Sequence, residues 1–135
     1  MKSVEIDFIV NDSKAALKLY EQIFEVEVVE ATDICAGQNE AIFSIYGTSF
    51  HILDENPAYQ LYAPREGDPR PMWFNVIVPD IEETYNKAIS AGCLEVQPIK
   101  EIPKMGLSNA IFTDTFGYLW MLHQVDNESD TEEDE

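Results

Sequence analysis

The chain contains two copies of one pattern, and this internal repeat constrains the fold more than any other feature. Each copy begins with an alternating apolar stretch, continues into an amphipathic helix and ends with three further strand-like segments. Asp12 and Asp80 precede the two helices at an offset of 68 residues, and Gly47 and Gly117 occupy equivalent turns at an offset of 70. A repeat of this length predicts two similar structural units within the 135 residues.

Each copy opens with a strand and a capped helix. In "VEIDFIV", apolar and acidic residues alternate, as on a strand with one face in the core. Asp12 then precedes "SKAALKLYEQIF", whose apolar residues recur at helical spacing. In the second copy "MWFNVIV" is the strand, Asp80 and Glu83 form a capping box, and "IEETYNKAISAG" is the helix. We expect the buried stripe of this helix to comprise Ile81, Tyr85, Ala88 and Ile89.

Apolar runs between turn residues predict three strands after each helix. In the first copy these are "VEVVEAT", "EAIFSIY" and "SFHILD". In the second they are a short strand near Leu94–Val96, "LSNAIFTD" and "GYLWMLHQV". Proline-rich residues 57–71 predict a connector. The expected organisation is a first module at 1–56, the connector at 57–71, a second module at 72–125 and a disordered acidic tail at 126–135.

The composition excludes some classes of partner. The chain carries 26 acidic and 8 basic residues, a net charge of −18. An acidic surface disfavours nucleic acid, because phosphate contacts require a basic face. We expect no membrane partner, since no apolar run is long enough to span a bilayer. Cys35 and Cys93 lie far apart in sequence and predict free thiols in a cytoplasmic protein.

Three motifs carry a family resemblance: "FIVNDSKAALKLYEQIF", "VIVPDIEETYNKAISAG" and "TDTFGYLWMLHQV". Together with the doubled element order, they resemble the glyoxalase/bleomycin resistance/dioxygenase, or vicinal oxygen chelate, superfamily. The third motif is similar to the Asp-Pro-Phe-Gly-x-x-Trp ending of the PhnB-like branch, with Thr115 in place of proline. The resemblance implies an α+β fold in which two βαβββ modules form curved mixed sheets around a cavity. It leaves the activity open, because the superfamily includes isomerases, dioxygenases, thiol transferases and drug-sequestering proteins.

The resemblance also implies four positions at which metal-using members hold their ion, on the first and last strand of each module. In the first module these are Glu5 and His51, and in the second they are Trp73 and Met121. Indole does not ligate metal ions, and a thioether is a poor ligand for a hard divalent ion. We therefore expect no metal cofactor. The alternative is a divalent metal such as zinc, nickel or iron, held by Glu5, Asp7 and His51.

Strand alternation predicts which side chains face a cavity. The predicted ligand-binding residues are Glu5, Asp7, Ile9, His51, Trp73, Asn75 and Met121, with Ile77, Leu119 and His123 on the same faces. Carboxylates beside a flat aromatic wall favour a planar organic ligand and permit a cationic one. The expected function is therefore metal-independent binding or sequestration of such a small molecule.

Two other functions stay open. The first is a glyoxalase-like lyase or isomerase, or a dioxygenase-type enzyme, that uses a divalent metal or an acid–base pair. Glu5, Asp7 and His51 are the catalytic candidates for that chemistry. The second is that the predicted cavity residues only fill the interior of the fold.

The connector predicts either an interface or a lid. The segment "AYQLYAP" carries Tyr59, Leu61 and Tyr62, and apolar side chains exposed together mark contact surfaces. We expect a homodimer, since exposed sheet edges also favour pairing. The alternative is that this segment folds back over its own cavity.

Overall fold

The computed structural model describes residues 4–126, and the chain divides into two compact units between Asp68 and Pro69. The first unit contains β1 (Ile6–Val10), α1 (Ser13–Ile23), β2 (Val26–Ala31), β3 (Glu40–Ile45) and β4 (Thr48–Asp54). The second contains β5 (Phe74–Ile77), α2 (Ile81–Ser90), β6 (Leu94–Ile102), β7 (Leu107–Thr113) and β8 (Leu119–Val125). The same order, strand, helix and three strands, therefore occurs in both units. This confirms the predicted α+β fold with two βαβββ modules.

Each unit forms a four-stranded mixed sheet. The strand order is β1-β4-β3-β2 in the first unit and β5-β8-β7-β6 in the second. The first and last strands of each unit pair in parallel, and the other neighbours pair antiparallel. A parallel pair needs a long crossover, and the helix with the two middle strands supplies it. Within residues 4–126, no helix is long and apolar enough to cross a membrane.

The core of the first unit lies between α1 and one face of its sheet. The buried stripe of α1 comprises Ala16, Leu17, Leu19, Tyr20 and Ile23. It faces the aromatic rings of the sheet, and Tyr20 stacks on Phe43 with ring centroids 6.1 Å apart. The opposite face of the sheet carries the polar residues, as the alternation in "VEIDFIV" predicts.

The core of the second unit centres on Trp120, which is fully buried in β8. Its ring packs on Phe74 of β5, with centroids 4.7 Å apart. Its indole N–H donates to Asp114 at 2.8 Å. Asp114 also accepts the backbone N–H groups of Phe116 and Tyr118, so one carboxylate fixes the turn before β8 and satisfies the buried indole.

Both helices are fixed at their first turns in the same way. The Asp12 and Asp80 carboxylates accept the N–H groups of Ala15 and Glu83, each at 3.1 Å, which confirms the predicted caps. The N–H of the first residue of each helix is held from the last strand of the sheet: Asp54 accepts it from Ser13 at 2.7 Å and Gln124 accepts it from Ile81 at 2.6 Å. Each helix is thereby tied to the strand that carries part of the candidate site.

Two details of the second unit differ from the sequence-based expectation. Ile89, which was predicted to be buried, is 38% exposed. Thr84, which was not part of the predicted stripe, lies in the buried face of α2. The strand predicted near Leu94–Val96 instead runs for 9 residues, to Ile102. Pro98 suggested an early end, but β6 is an edge strand, where the lost N–H of a proline is tolerated. The pairing with β7 shifts register there, between Gln97 and Lys100.

The predicted acidic tail lies outside the described residues, except for Asp126. Its backbone N–H donates to the carbonyl of Gly106 at 2.8 Å.

Replacing Asp54 tests how the first unit is held together. Its side chain is buried, and it accepts the N–H groups of Ser13, Gly37 and Asn39. Burial alone would raise the pKa of this carboxyl, but the three donors outweigh it and hold the pKa below its ordinary value. We expect Asp54→Asn to lower the free energy of unfolding by about 2–4 kcal/mol, because an amide NH₂ would face N–H donors.

The measurement is urea denaturation at neutral pH, with the exposed Glu21→Gln as the control for charge. Because the folded-state pKa is depressed, the contribution of Asp54 is present above the unfolded pKa. It is lost as the pH falls through the folded value, so the two proteins should converge in acid. Equal stabilities of Asp54→Asn and wild type at neutral pH would contradict this role.

Candidate functional site

The candidate site of the first unit lies on the sheet face opposite α1. The parallel pairing of β1 with β4 places Asp7 beside His51. Side chains alternate along a strand, so Glu5 lies on the same face two residues before Asp7. The pairing of β3 with β4 places Ile42 opposite His51, and Glu40 lies two residues before it on that face. Three neighbouring strands therefore converge on one imidazole.

His51 contacts three carboxylates. Its Nδ1 lies 3.1 Å from Glu5 Oε1 and 3.6 Å from Asp7 Oδ1, and its Nε2 lies 2.6 Å from Glu40 Oε1. The His51 side chain is 14% exposed, while the three carboxylate side chains are 47–53% exposed. A ring with a carboxylate at each nitrogen is best satisfied as imidazolium, in which both nitrogens donate.

The protonation of this cluster follows from its geometry. Burial alone would lower the pKa of His51, but the hydrogen bonds to Glu5 and Glu40 and the charges of Asp7 and Glu5 outweigh it and raise that pKa. The hydrogen bond to His51 lowers the pKa of Glu5. Burial, with the adjacent carboxylate of Glu5, raises the pKa of Asp7. The pKa values of these two neighbouring carboxyls are therefore shifted in opposite directions.

The second unit repeats this geometry with other side chains. The pairing of β5 with β8 places Asn75 beside Met121 and Ile77 beside His123, in the register that places Asp7 beside His51. Trp73, the counterpart of Glu5, lies just before β5 and is 45% exposed. Each unit brings together its own predicted residues, Glu5, Asp7, Ile9 and His51 in the first and Asn75, Ile77, Leu119, Met121 and His123 in the second.

Glu40 was not predicted from the sequence. The predicted site residues are on the first and last strands, whereas Glu40 is on β3, which lies between β4 and β2. The signal was available in "EAIFSIY", where Glu40, Ile42 and Ser44 alternate with the buried Ala41, Phe43 and Ile45. Recognising Glu40 required the β3–β4 register, which the sequence does not specify.

The first unit also meets the basic requirement for a divalent ion. One ligand atom from each of Glu5, Asp7 and His51 lies within 4.8 Å of the others. If Nδ1 of His51 bound an ion, the contact of Nε2 with Glu40 would orient the ring, as second-layer carboxylates do in metal sites. The equivalent positions of the second unit hold Trp73, Asn75 and Met121, a set that does not suit a hard divalent ion.

Comparison with known proteins supports the fold and its family. The model of the glyoxalase/bleomycin resistance protein/dioxygenase superfamily matches residues 2–122. The chain belongs to this superfamily. A search of curated protein sequences finds no match.

Solved structures of this superfamily show the same fold at low sequence identity. TioX from Micromonospora sp. is 18% identical, with a TM-score of 0.68 over 91% of this chain and 95% of that one. The fosfomycin resistance protein FosX from Listeria monocytogenes is 17% identical, with a TM-score of 0.70 over 95% and 96%. A PhnB protein from Bacillus cereus is 19% identical, with a TM-score of 0.67 over 92% and 100%. One FosX structure contains Mn(II) and a sulfate ion.

The raised pKa of His51 gives a direct test of the cluster. In an NMR titration of the imidazole signals, we expect the midpoint of His51 to lie above the ordinary value of 6.5. Glu40→Gln should lower that midpoint, because it removes a hydrogen-bonded charge. Since the folded-state pKa is raised, the cluster stabilises the fold below the unfolded pKa, and this contribution is lost as the pH rises through the folded value. A midpoint at or below 6.5 in the wild type would contradict the cluster geometry.

Proposed function

We propose that the chain is a small-molecule-binding protein whose first unit recognises an organic cation without a metal ion. The observation that carries this proposal is the group of three half-exposed carboxylates around His51. With His51 protonated, Glu5, Asp7 and Glu40 leave a charge of about −2 on one small area of the sheet. Such a surface attracts a cationic group and repels phosphate, phosphonate and carboxylate ligands.

The surroundings of this cluster support a ligand that combines positive charge with an apolar body. The register of β2 with β3 places Glu27 and Glu30 on the same face. Ile9, Ile42 and Leu53 lie on that face too, and all three are half-buried. Aliphatic side chains beside carboxylates provide dispersion contacts for the body of a ligand and electrostatic attraction for its charge. An amine or a quaternary nitrogen on a flat ring system fits this combination.

The second unit supports metal independence. Its counterparts of the family's ligand positions are Trp73 and Met121, which offer an aromatic surface and a thioether. A half-exposed indole favours a planar or cationic molecule. The repeated geometry is thus retained while the ligating groups are not, which is the arrangement expected of a protein that binds organic molecules.

The second candidate function is a metal-dependent lyase, isomerase or dioxygenase. The convergence of Glu5, Asp7 and His51 within 4.8 Å favours it. A divalent ion there would act as a Lewis acid on a substrate oxygen. The chain's own contribution would be to orient His51 through Glu40. Without an ion, the Asp7 and His51 pair supplies a general acid and a general base.

Three finer assignments belong to the same proposal. The ending "TDTFGYLWMLHQV" supports the PhnB-like branch. Cys35 and Cys93 are free thiols, which supports a reducing compartment such as the cytoplasm. Tyr59 and Tyr62 of the connector are 75% and 55% exposed, which supports the homodimer through that segment.

Light scattering at micromolar concentration tests the homodimer. We expect the mass of two chains, and we expect Tyr59→Glu/Tyr62→Glu to shift it towards one chain, because charge would be buried at the interface. A single-chain mass that stays unchanged on concentrating the wild type would contradict the dimer.

Calorimetric titration with three ring compounds of similar size tests the binding function. We expect N-methylquinolinium to bind more tightly than neutral quinoline, and quinoline-2-carboxylate to bind most weakly. Glu5→Gln/Asp7→Asn should weaken binding of the cation about tenfold, because two exposed charges are removed. The matched control is Glu21→Gln/Glu25→Gln, which removes the same charge from α1 and the residues after it. Equal binding of the three compounds, or equal effects of the two double variants, would contradict cation recognition.

Elemental analysis of freshly purified protein separates the two candidate functions. The binding function predicts no stoichiometric zinc, nickel, iron or manganese. A stoichiometric metal that is lost in His51→Ala would instead establish the enzyme candidate.

A further inference from the structure

A cavity of about 490 Å³ lies on the helix side of the second sheet, away from the face that carries Asn75 and Met121. Its walls are the first turn of α2, the end of β6, the start of β7 and the end of β8. Four acidic residues line it, namely Asp80, Glu82, Glu101 and Asp126. Among the described residues that line it, none is a lysine, an arginine or a histidine.

The first unit shows what this space contains when it is filled. There the residues between β2 and β3 fold onto the start of α1, and Gly37 and Asn39 donate their N–H groups to Asp54. Lys14 of α1 also forms an ion pair with Asp33 of that loop, at 2.5 Å. The first turn of α1 is therefore covered by its own chain, and one lysine neutralises the acid beside it.

The second unit has lost both features. Its connection from β6 to β7 is a single short helical turn, Pro103–Met105, in place of the longer loop of the first unit. Gln124 replaces Asp54, and its Oε1 accepts one N–H, from Ile81. At the repeat offset of 68 residues, Glu82 occupies the position of Lys14, so an acid replaces the base. Within the described residues, the result is an acidic cavity that the β6–β7 connection does not cover, where the other copy of the repeat has a filled and neutralised one.

The chemistry of the walls selects the class of ligand. Ile81, Ile99 and Leu107 are also in the lining, so the cavity combines aliphatic side chains with its carboxylates. Within residues 4–126, three ligating side chains converge within 4.8 Å only at Glu5, Asp7 and His51. The acidic side chains of the cavity therefore do not form a group of three converging ligands. A linear molecule with several ammonium groups joined by methylene segments matches a lining of several carboxylates with a few aliphatic side chains.

We infer that this cavity is a second ligand site, which binds an aliphatic polyamine. Its volume is within the range of small-molecule sites, and its first-turn N–H groups at Ile81 and Glu83 already have acceptors in Gln124 and Asp80. These two first-turn donors are therefore already used within the unit. The site is independent of the organic-cation site, because it is formed by α2, β6, β7 and β8 of the second unit. The organic-cation site lies on the sheet of the first unit.

Titration with spermidine, followed by amide chemical shifts at physiological salt, tests this inference. We expect saturable shifts at Ile81–Glu83 and at Gly106–Ser108. Glu82→Gln/Glu101→Gln should weaken the binding measured at these amides about tenfold, because it removes two of four charges. Glu21→Gln/Glu25→Gln, with the same change in net charge, should leave it within twofold. The shifts should also persist in Glu5→Gln/Glu40→Gln, so failure of the first site and failure of this one give different results.

The outcomes that would overturn the inference are equally specific. Absence of saturable shifts at these amides would overturn it. Equal weakening of binding by the cavity variant and the control variant would also overturn it, because spermidine would then respond only to the general charge of the protein. Displacement of spermidine by an equal concentration of Mg²⁺ would show a site for inorganic ions instead of polyamines.

Discussion

The parallel pairing of the first and last strands is the contact on which each unit depends. It joins residues that are more than forty positions apart, such as Asp7 and His51, and it brings β1 back beside β4 after the crossover. The same strand that carries His51 ends in Asp54, which holds the first turn of α1 through Ser13. In the first unit, the position of α1 and the geometry of the candidate site therefore both depend on β4. His51 lies on one face of this strand, and Asp54 lies on the other.

Because the chain contains two copies of one unit, equivalent positions in the two copies can be compared. The side chains that maintain the fold are preserved in type or in role: Asp12 and Asp80 cap the helices, and Asp54 and Gln124 hold the next N–H group. The side chains at the candidate sites have diverged, as His51 and Met121 show. The positions that maintain the fold are thus alike in the two units, whereas the candidate site positions differ.

Much of the fold follows from the sequence because its signals are local. The alternation in "VEIDFIV", the caps at Asp12 and Asp80 and the glycine turns each predict an element, and the repeat orders them. The extent of β6 did not follow, because Pro98 is a strand breaker everywhere except at a sheet edge. Ile89 was placed in the core from helical spacing alone, although the face of α2 that is buried is set by the sheet beneath it.

The candidate site was predictable only in part, for a related reason. Glu5, Asp7 and His51 lie on the strands that the family resemblance highlights. Glu40 enters the site through the β3–β4 register, and register is a tertiary property that local patterns do not determine. The same limit applies to the cavity of the second unit, whose lining comes from four separate elements and which the short β6–β7 connection does not cover. In both cases the charged residues are evident from the sequence, but the fold determines which of them lie close together.

The decisive measurement is a crystal structure with bound N-methylquinolinium, with diffraction recorded at a photon energy just above the zinc K absorption edge. The account predicts ring density against the carboxylates of Glu5 and Asp7, with Nδ1 and Nε2 of His51 still directed at Glu5 and Glu40. It also predicts no anomalous peak at that position. A metal peak coordinated by Glu5, Asp7 and His51, or ligand density that leaves this cluster untouched, would contradict it.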